Sequence, residues 1–129
     1  MASIRVLLVD DDPIFRDGLR TILSVQPGMV VVGEASNGQE ALQIASALWP
    51  DVVVMDVHMP LLDGIAATRK MCVDSPRCQV VLLTTFPSPK LEQEAAQAGA
   101  LCMLGKDISA AQLAEIIRAG HSDESQLKI

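Results

Sequence analysis

Five short apolar runs, Ile4 to Asp10, Met29 to Glu34, Asp51 to Asp56, Gln79 to Thr85 and Ala100 to Lys106, recur roughly every 25 residues along the chain. Three of them, RVLLVD, DVVVMD and QVVLLTT, carry apolar side chains at successive positions instead of alternating with polar ones. Side chains of a strand point to opposite faces in turn, so a run that is apolar throughout must be covered on both sides. Such a sheet lies inside the domain and is expected to be parallel, because parallel strands are joined by crossovers that themselves supply the covering layers.

The segments between the runs have helical spacing and recognisable ends. Asp12 can cap a helix that has Pro13 at its first position and runs through Phe15, Leu19, Ile22 and Leu23 towards Pro27-Gly28. Ser36 with Gln39 and Ser109 with Gln112 match the capping-box spacing, placing helices at about 37–48 and 109–119. Asp63 can begin a helix near 64–74, and Ser88-Pro89 one that stops at Gly99, a suitable left-handed terminator. Five strands then alternate with five helices. Right-handed crossovers turn that alternation into an α/β, flavodoxin-like doubly wound (βα)5 fold with a five-stranded parallel sheet in the order 2-1-3-4-5. A chain of 129 residues suffices for one such domain, over about residues 1–120. Residues 121–129, HSDESQLKI, are polar and unpatterned and read as a tail or the start of a linker. Phe15, Trp49 and Phe86 are the aromatic residues, so the core is expected to be aliphatic.

In the 2-1-3-4-5 order the first and third strands are neighbours, and the chain leaves them in opposite directions. That opens a crevice at their carboxyl ends, where ligands bind in open α/β sheets. Asp10, Asp11 and Asp12 close the first strand and Asp56 the third, so folding is expected to gather carboxylates there. Asp12 serves mainly as a helix cap. Asp10, Asp11 and Asp56 repel each other at short range, and an oxygen-only cluster suits a hard divalent cation, Mg²⁺ or Mn²⁺. Lys106 ends the fifth run and points towards the same edge. Thr84 and Thr85 end the fourth, and spacing alone does not choose between their hydroxyls. These parts fit phosphoryl transfer to a carboxylate: Asp56 as nucleophile, a metal on the acids, Lys106 and a threonine on the phosphoryl oxygens. No Gly-rich phosphate loop follows the first strand, so the phosphoryl donor is expected to be another protein instead of a bound nucleotide.

The formal charge of -6 disfavours direct attraction to nucleic acid or to an anionic membrane. Cys72, Cys78 and Cys102 form no CxxC pair, so neither a disulfide framework nor a structural zinc site is expected. No apolar run approaches the roughly 20 residues that span a bilayer, and the expected location is cytoplasmic.

With these residues in place, the sequence resembles the receiver domain of two-component response regulators from about Ile4 to Gly120. RVLLVDDDPIFRDGLRTIL is similar to the family's opening strand and helix, and DVVVMDVHMPLLDG to its phosphorylation segment. The resemblance implies that Asp10 and Asp11 hold Mg²⁺, that Asp56 is the phosphoacceptor and metal ligand, and that His58 lends its backbone carbonyl to the metal. It also places Thr84 at the switch hydroxyl and Lys106 at the lysine that contacts the phosphoryl group. FRDGLRTIL, LLTTF and LGKDIS are most like receivers of regulators with a LuxR-type DNA-binding domain (NarL/FixJ subfamily). The implied partners are a sensor histidine kinase, a second copy in a homodimer, and DNA only through an output domain outside these 129 residues. The implied function is a phosphorylation switch, not an enzyme acting on an external substrate. Met103 stands where the family usually has Tyr or Phe, Asp12 where this subfamily often has His, and Asp107 where other receivers have Pro. Two competing readings are a non-switching receiver-like interaction module, suggested by Met103, and an aspartyl-phosphate phosphatase of the haloacid-dehalogenase type, in which His58 would replace a second Asp.

Overall fold

The computed structural model describes the backbone of residues 3–127 and the side chains of residues 3–121. Strands and helices alternate throughout: β1 (Ile4–Val9), α1 (Pro13–Leu23), β2 (Met29–Ala35), α2 (Gly38–Leu48), β3 (Val52–Asp56), α3 (Gly64–Asp74), β4 (Gln79–Thr84), α4 (Pro89–Ala98), β5 (Cys102–Gly105) and α5 (Ala110–Leu127). Every strand pairing is parallel, and the order is β2-β1-β3-β4-β5, as the sequence predicts.

The continuous apolar runs feed two separate cores, one on each face of the sheet. Val6, Leu8, Val52, Val54, Val81 and Leu83 pack against Leu23 of α1 and Leu113, Ala114 and Ile117 of α5. Their sequence neighbours Leu7, Val9, Val53, Met55, Val80 and Leu82 point the other way, onto Ala41, Ala45, Ala67, Met71, Ala95 and Ala98 of α2, α3 and α4. Burying each large aliphatic side chain contributes roughly 1.5–3 kcal/mol, so the central strands are the most firmly held part of the molecule. Their carboxyl ends inherit that rigidity. Among the described residues, no helix is long and apolar enough to cross a membrane.

Most helix ends follow the residues that signal them. Asp12 Oδ1 accepts from the amides of Ile14 and Phe15 at 3.0 and 3.4 Å. Ser109 and Gln112 form the reciprocal box, each side chain accepting from the other's amide at 3.1 and 3.4 Å. Gly99 ends α4 in the left-handed region, at φ 103°. Two ends differ from expectation. The cap of α2 is Asn37, whose side chain accepts from the Glu40 amide at 2.9 Å, while the Glu40 carboxylate takes the Ser36 amide and hydroxyl at 2.8 and 2.9 Å. A carboxylate in the first turn is the stronger acceptor and is favoured by the helix dipole, so the Asn37–Glu40 spacing prevails over Ser36–Gln39. Helix α5 continues to Leu127, past the expected end near residue 119. Gly120 is not a stop signal: a Cβ there would lie 2.5 Å from Leu101 Cδ2, so close packing accounts for the glycine.

Candidate functional site

The crevice forms where the connections from β1 and β3 diverge. Val9 is paired with Met55, which sets Asp10 and Asp56 next to each other one residue further on. Carboxylate oxygens of Asp10, Asp11 and Asp56 all lie within 4.8 Å of one another. Asp10 and Asp56 are buried, whereas Asp11 is exposed, leaving the cluster open to solvent on one side. An all-oxygen donor set of this size fits a hard divalent cation.

Lys106 reaches this cluster from just beyond β5, where its amide donates to the Thr84 carbonyl at 2.9 Å. Its Nζ lies 2.8 Å from Asp10 Oδ2 and 3.4 Å from Asp56 Oδ2. The same ammonium stands 4.5 Å from the centroid of the Phe15 ring, a cation–π contact that helps fix the side chain. Burial pushes the Asp56 carboxyl above its ordinary range, and the Asp10 charge adds to the effect; Lys106 and the His58 amide offset part of it. Burial alone would lower the Lys106 pKa, but the hydrogen bond and charge of Asp10, followed by those of Asp56, outweigh it and raise the group.

The two threonines are separated by burial. Thr84 is fully buried and its Oγ1 accepts from the Phe86 amide at 3.3 Å, whereas Thr85 is exposed. The His58 side chain is also exposed, and its amide donates to Asp56 Oδ1 at 3.3 Å. Asp12 faces α1 as a cap, and its own amide donates to Asp10 Oδ1 at 2.9 Å. Met103 is half-buried against the core shared by α2, α3 and α4, so this position is filled by a flexible aliphatic thioether.

Sequence reasoning overlooked a polar group behind the acids. Arg16 of α1 donates from Nη1 to the Asp10 carbonyl at 2.6 Å and from Nε to Glu34 at 3.0 Å. Arg20 Nε lies 3.3 Å from the second Glu34 oxygen. One signal was available: Glu34 is an acid at the end of an otherwise apolar strand, and Arg16 and Arg20 are one helical turn apart.

The fold and this acidic edge define a doubly wound domain with its working groups at the switch point. The response regulator receiver domain model matches residues 6–118, and the chain belongs to that family. The transcriptional regulatory protein LiaR of Bacillus subtilis is 41% identical over 125 residues, covering 97% of this chain and 59% of LiaR. The response regulator VraR of Staphylococcus epidermidis is 37% identical over 123 residues, covering 95% of this chain and 59% of VraR. The chain thus spans less than two-thirds of the length of these relatives. Among solved structures, the signal receiver domain of NarL from Mycobacterium tuberculosis matches with a TM-score of 0.86 at 32% identity, covering 97% of this chain and 98% of that one. A LuxR-family two-component response regulator from Aurantimonas sp. matches at 0.89 and 33% identity, covering 95% and 87%. These relatives support the likeness to receivers of LuxR-type regulators.

Proposed function

We propose that Asp56 accepts a phosphoryl group from a phosphohistidine of a sensor histidine kinase, and that the phosphorylated domain switches an output. The observation that carries this reading is a buried carboxylate at a strand end, 3.4 Å from Lys106 Nζ and grouped with two further acids within 4.8 Å. In the transfer, an Asp56 oxygen forms the new P–O bond as the P–N bond to the donor imidazole breaks, and the imidazole nitrogen keeps the electron pair. Asp10, Asp11, Asp56 and the His58 carbonyl would hold Mg²⁺ or Mn²⁺. A divalent ion bound there neutralises charge on the transferring group. Lys106 supplies a fixed cation for a phosphoryl oxygen, and Thr84 a hydroxyl donor at the end of β4. We assign residues 1–120 to the receiver and 121–129 to a tail or the start of a linker. The output we infer is transcription, through a DNA-binding domain outside these residues, with a homodimer as the active form and the cytoplasm as its place of action.

The domain acts as a switch that takes one phosphoryl group, and membership in the receiver family favours this over the phosphatase reading. Incubation with Mg²⁺ and a small acyl phosphate should add one phosphate to the wild type and none to Asp56→Asn, as read by intact mass. Labelling of the Asn variant to the same extent would refute the assignment.

A further inference from the structure

Asp11 is the least constrained member of the acidic cluster. It is exposed, and its place relative to Asp10 and Asp56 depends on the peptide that joins it to Asp10. That peptide is held from behind. Its carbonyl, that of Asp10, accepts from Arg16 Nη1 at 2.6 Å, and the preceding peptide is tied to β2 by the Asp10 amide, which donates to the Ala35 carbonyl at 3.1 Å. Arg16 is itself oriented by the Glu34 carboxylate, with side-chain exposures of only 19% and 30%, and Glu34 is shared with Arg20. A guanidinium held by a carboxylate on one side has its remaining N–H directions fixed by its planar fork.

We propose that Arg16, locked by Glu34, is a positioning residue that sets the metal affinity of the acidic cluster by fixing the Asp10–Asp11 peptide. The inference rests on the metal reading given above. Charge and geometry make opposite predictions here, which makes the role testable. If Arg16 mattered only as a nearby positive charge, its removal would strengthen binding of a dication. As a clamp on the peptide that carries two ligands, its loss should weaken binding, and outer groups that orient metal ligands typically account for about 10–100-fold in affinity. The fork geometry matters too, because Arg16 uses two separate nitrogens, Nε and Nη1, for Glu34 and the Asp10 carbonyl, and a lysine keeps the charge but has a single nitrogen that does not reproduce those two directions.

The experiment is a Mn²⁺ titration followed by electron paramagnetic resonance, with Mg²⁺ competition, on the wild type, Arg16→Lys, Arg16→Met and Glu34→Gln. The temperature is kept where circular dichroism shows each variant folded. Weakening of about 10-fold or more in both Arg16 variants, with a smaller loss in Glu34→Gln, is the expected result. Tighter binding by Arg16→Met with wild-type binding by Arg16→Lys would overturn the clamp in favour of charge alone. Unchanged affinity in all three variants would overturn it outright while leaving the metal reading intact. A wild type that binds neither ion overturns the metal reading, and the clamp with it. Glu34→Asp keeps the charge but shortens the reach to Arg16, so weakened binding there supports the clamp and wild-type binding overturns it, should either Arg16 substitution fail to fold.

Discussion

Gly64 opens α3 directly behind the proposed phosphoacceptor, and a methyl group there would have no space. A Cβ at this position would stand 2.2 Å from the Asp56 carbonyl oxygen, 3.0 Å from Val57 Cα and 3.1 Å from the Asp56 carbonyl carbon. All three atoms are backbone, and the Gly64 amide also donates to the Val57 carbonyl at 2.8 Å, so no flexible side chain can yield. Relief requires a shift of about 1 Å between α3 and the end of β3. Overpacking of this kind costs typically about 1–3 kcal/mol. For a domain of this size that lowers Tm by roughly 4–12 °C. A displacement of about 1 Å at a reacting group costs on the order of 100-fold in rate. Gly64→Ala should therefore lose both stability and phosphorylation rate, measured by calorimetry and by phosphate incorporation from a small acyl phosphate. Gly18 provides the control, because a Cβ there meets nothing within 4 Å and lies within α1. Gly18→Ala should stabilise by about 0.5–1 kcal/mol through helix propensity and leave the rate unchanged. A Gly64→Ala protein with wild-type Tm and rate would refute the claim that α3 is seated against the Asp56 backbone.

The Asp56 pKa is raised in the fold, so its ionised form weakens the metal-free protein at neutral pH, and protonation on acidification restores that stability. In EDTA, Asp56→Asn should unfold at a higher temperature than wild type at pH 7, the gap closing as pH falls through the raised pKa towards the ordinary value of 3.8; a gap independent of pH would contradict the burial argument. Lys106→Met leaves Asp10 and Asp56 facing each other without their shared cation. Breaking a buried pair costs up to about 3–5 kcal/mol, less here because Lys106 is partly exposed, so a loss of about 2–3 kcal/mol in EDTA that Mg²⁺ largely restores is expected from denaturant midpoints. Equal stability in EDTA would show that Lys106 does not balance the acids. Leu61 lies at φ 68° in a tight turn closed by the Leu62 amide and Pro60 carbonyl at 2.8 Å, with 78% of its surface exposed. Leu61→Asn should stabilise by about 0.5–1 kcal/mol, since asparagine tolerates this backbone region and little packing is lost; a lower denaturation midpoint would mean that Leu61 makes a contact of greater value.

The fold was legible because its apolar code is redundant. RVLLVD and DVVVMD are apolar at adjacent positions, and the structure sends alternate members to two different helical layers. The ends were less legible where two local signals overlapped. Ser36-Asn37 followed by Gln39-Glu40 offers two capping registers one residue apart, and only the stronger acceptor decides between them. The end of α5 was set too early, near residue 119, and the packing of Gly120 against Leu101, which lies on a different strand connection, cannot be seen from local sequence. The three acids and Lys106 were legible because each stands at the end of an apolar run, where topology gathers them. Arg16 was not, because an arginine on an amphipathic helix resembles any solvated charge until the end of β2 is brought beneath it.

Charge balance separates the two kinds of group at this edge. Three carboxylates face one ammonium within the cluster, leaving it short of two positive charges when all are ionised. A divalent ion meets that deficit, whereas a monovalent one would leave the buried Asp10 and Asp56 in partial repulsion. Glu34, at 3.0 Å from Arg16 and shared with Arg20, offsets part of the Arg16 charge. Arg20 on the same carboxylate is more exposed and more fully screened. What Arg16 adds beyond charge is direction: a 2.6 Å hydrogen bond to the one carbonyl through which Asp11 is connected to the sheet. Lys106 is therefore the group whose loss a metal can replace, and Arg16 the one whose loss it cannot.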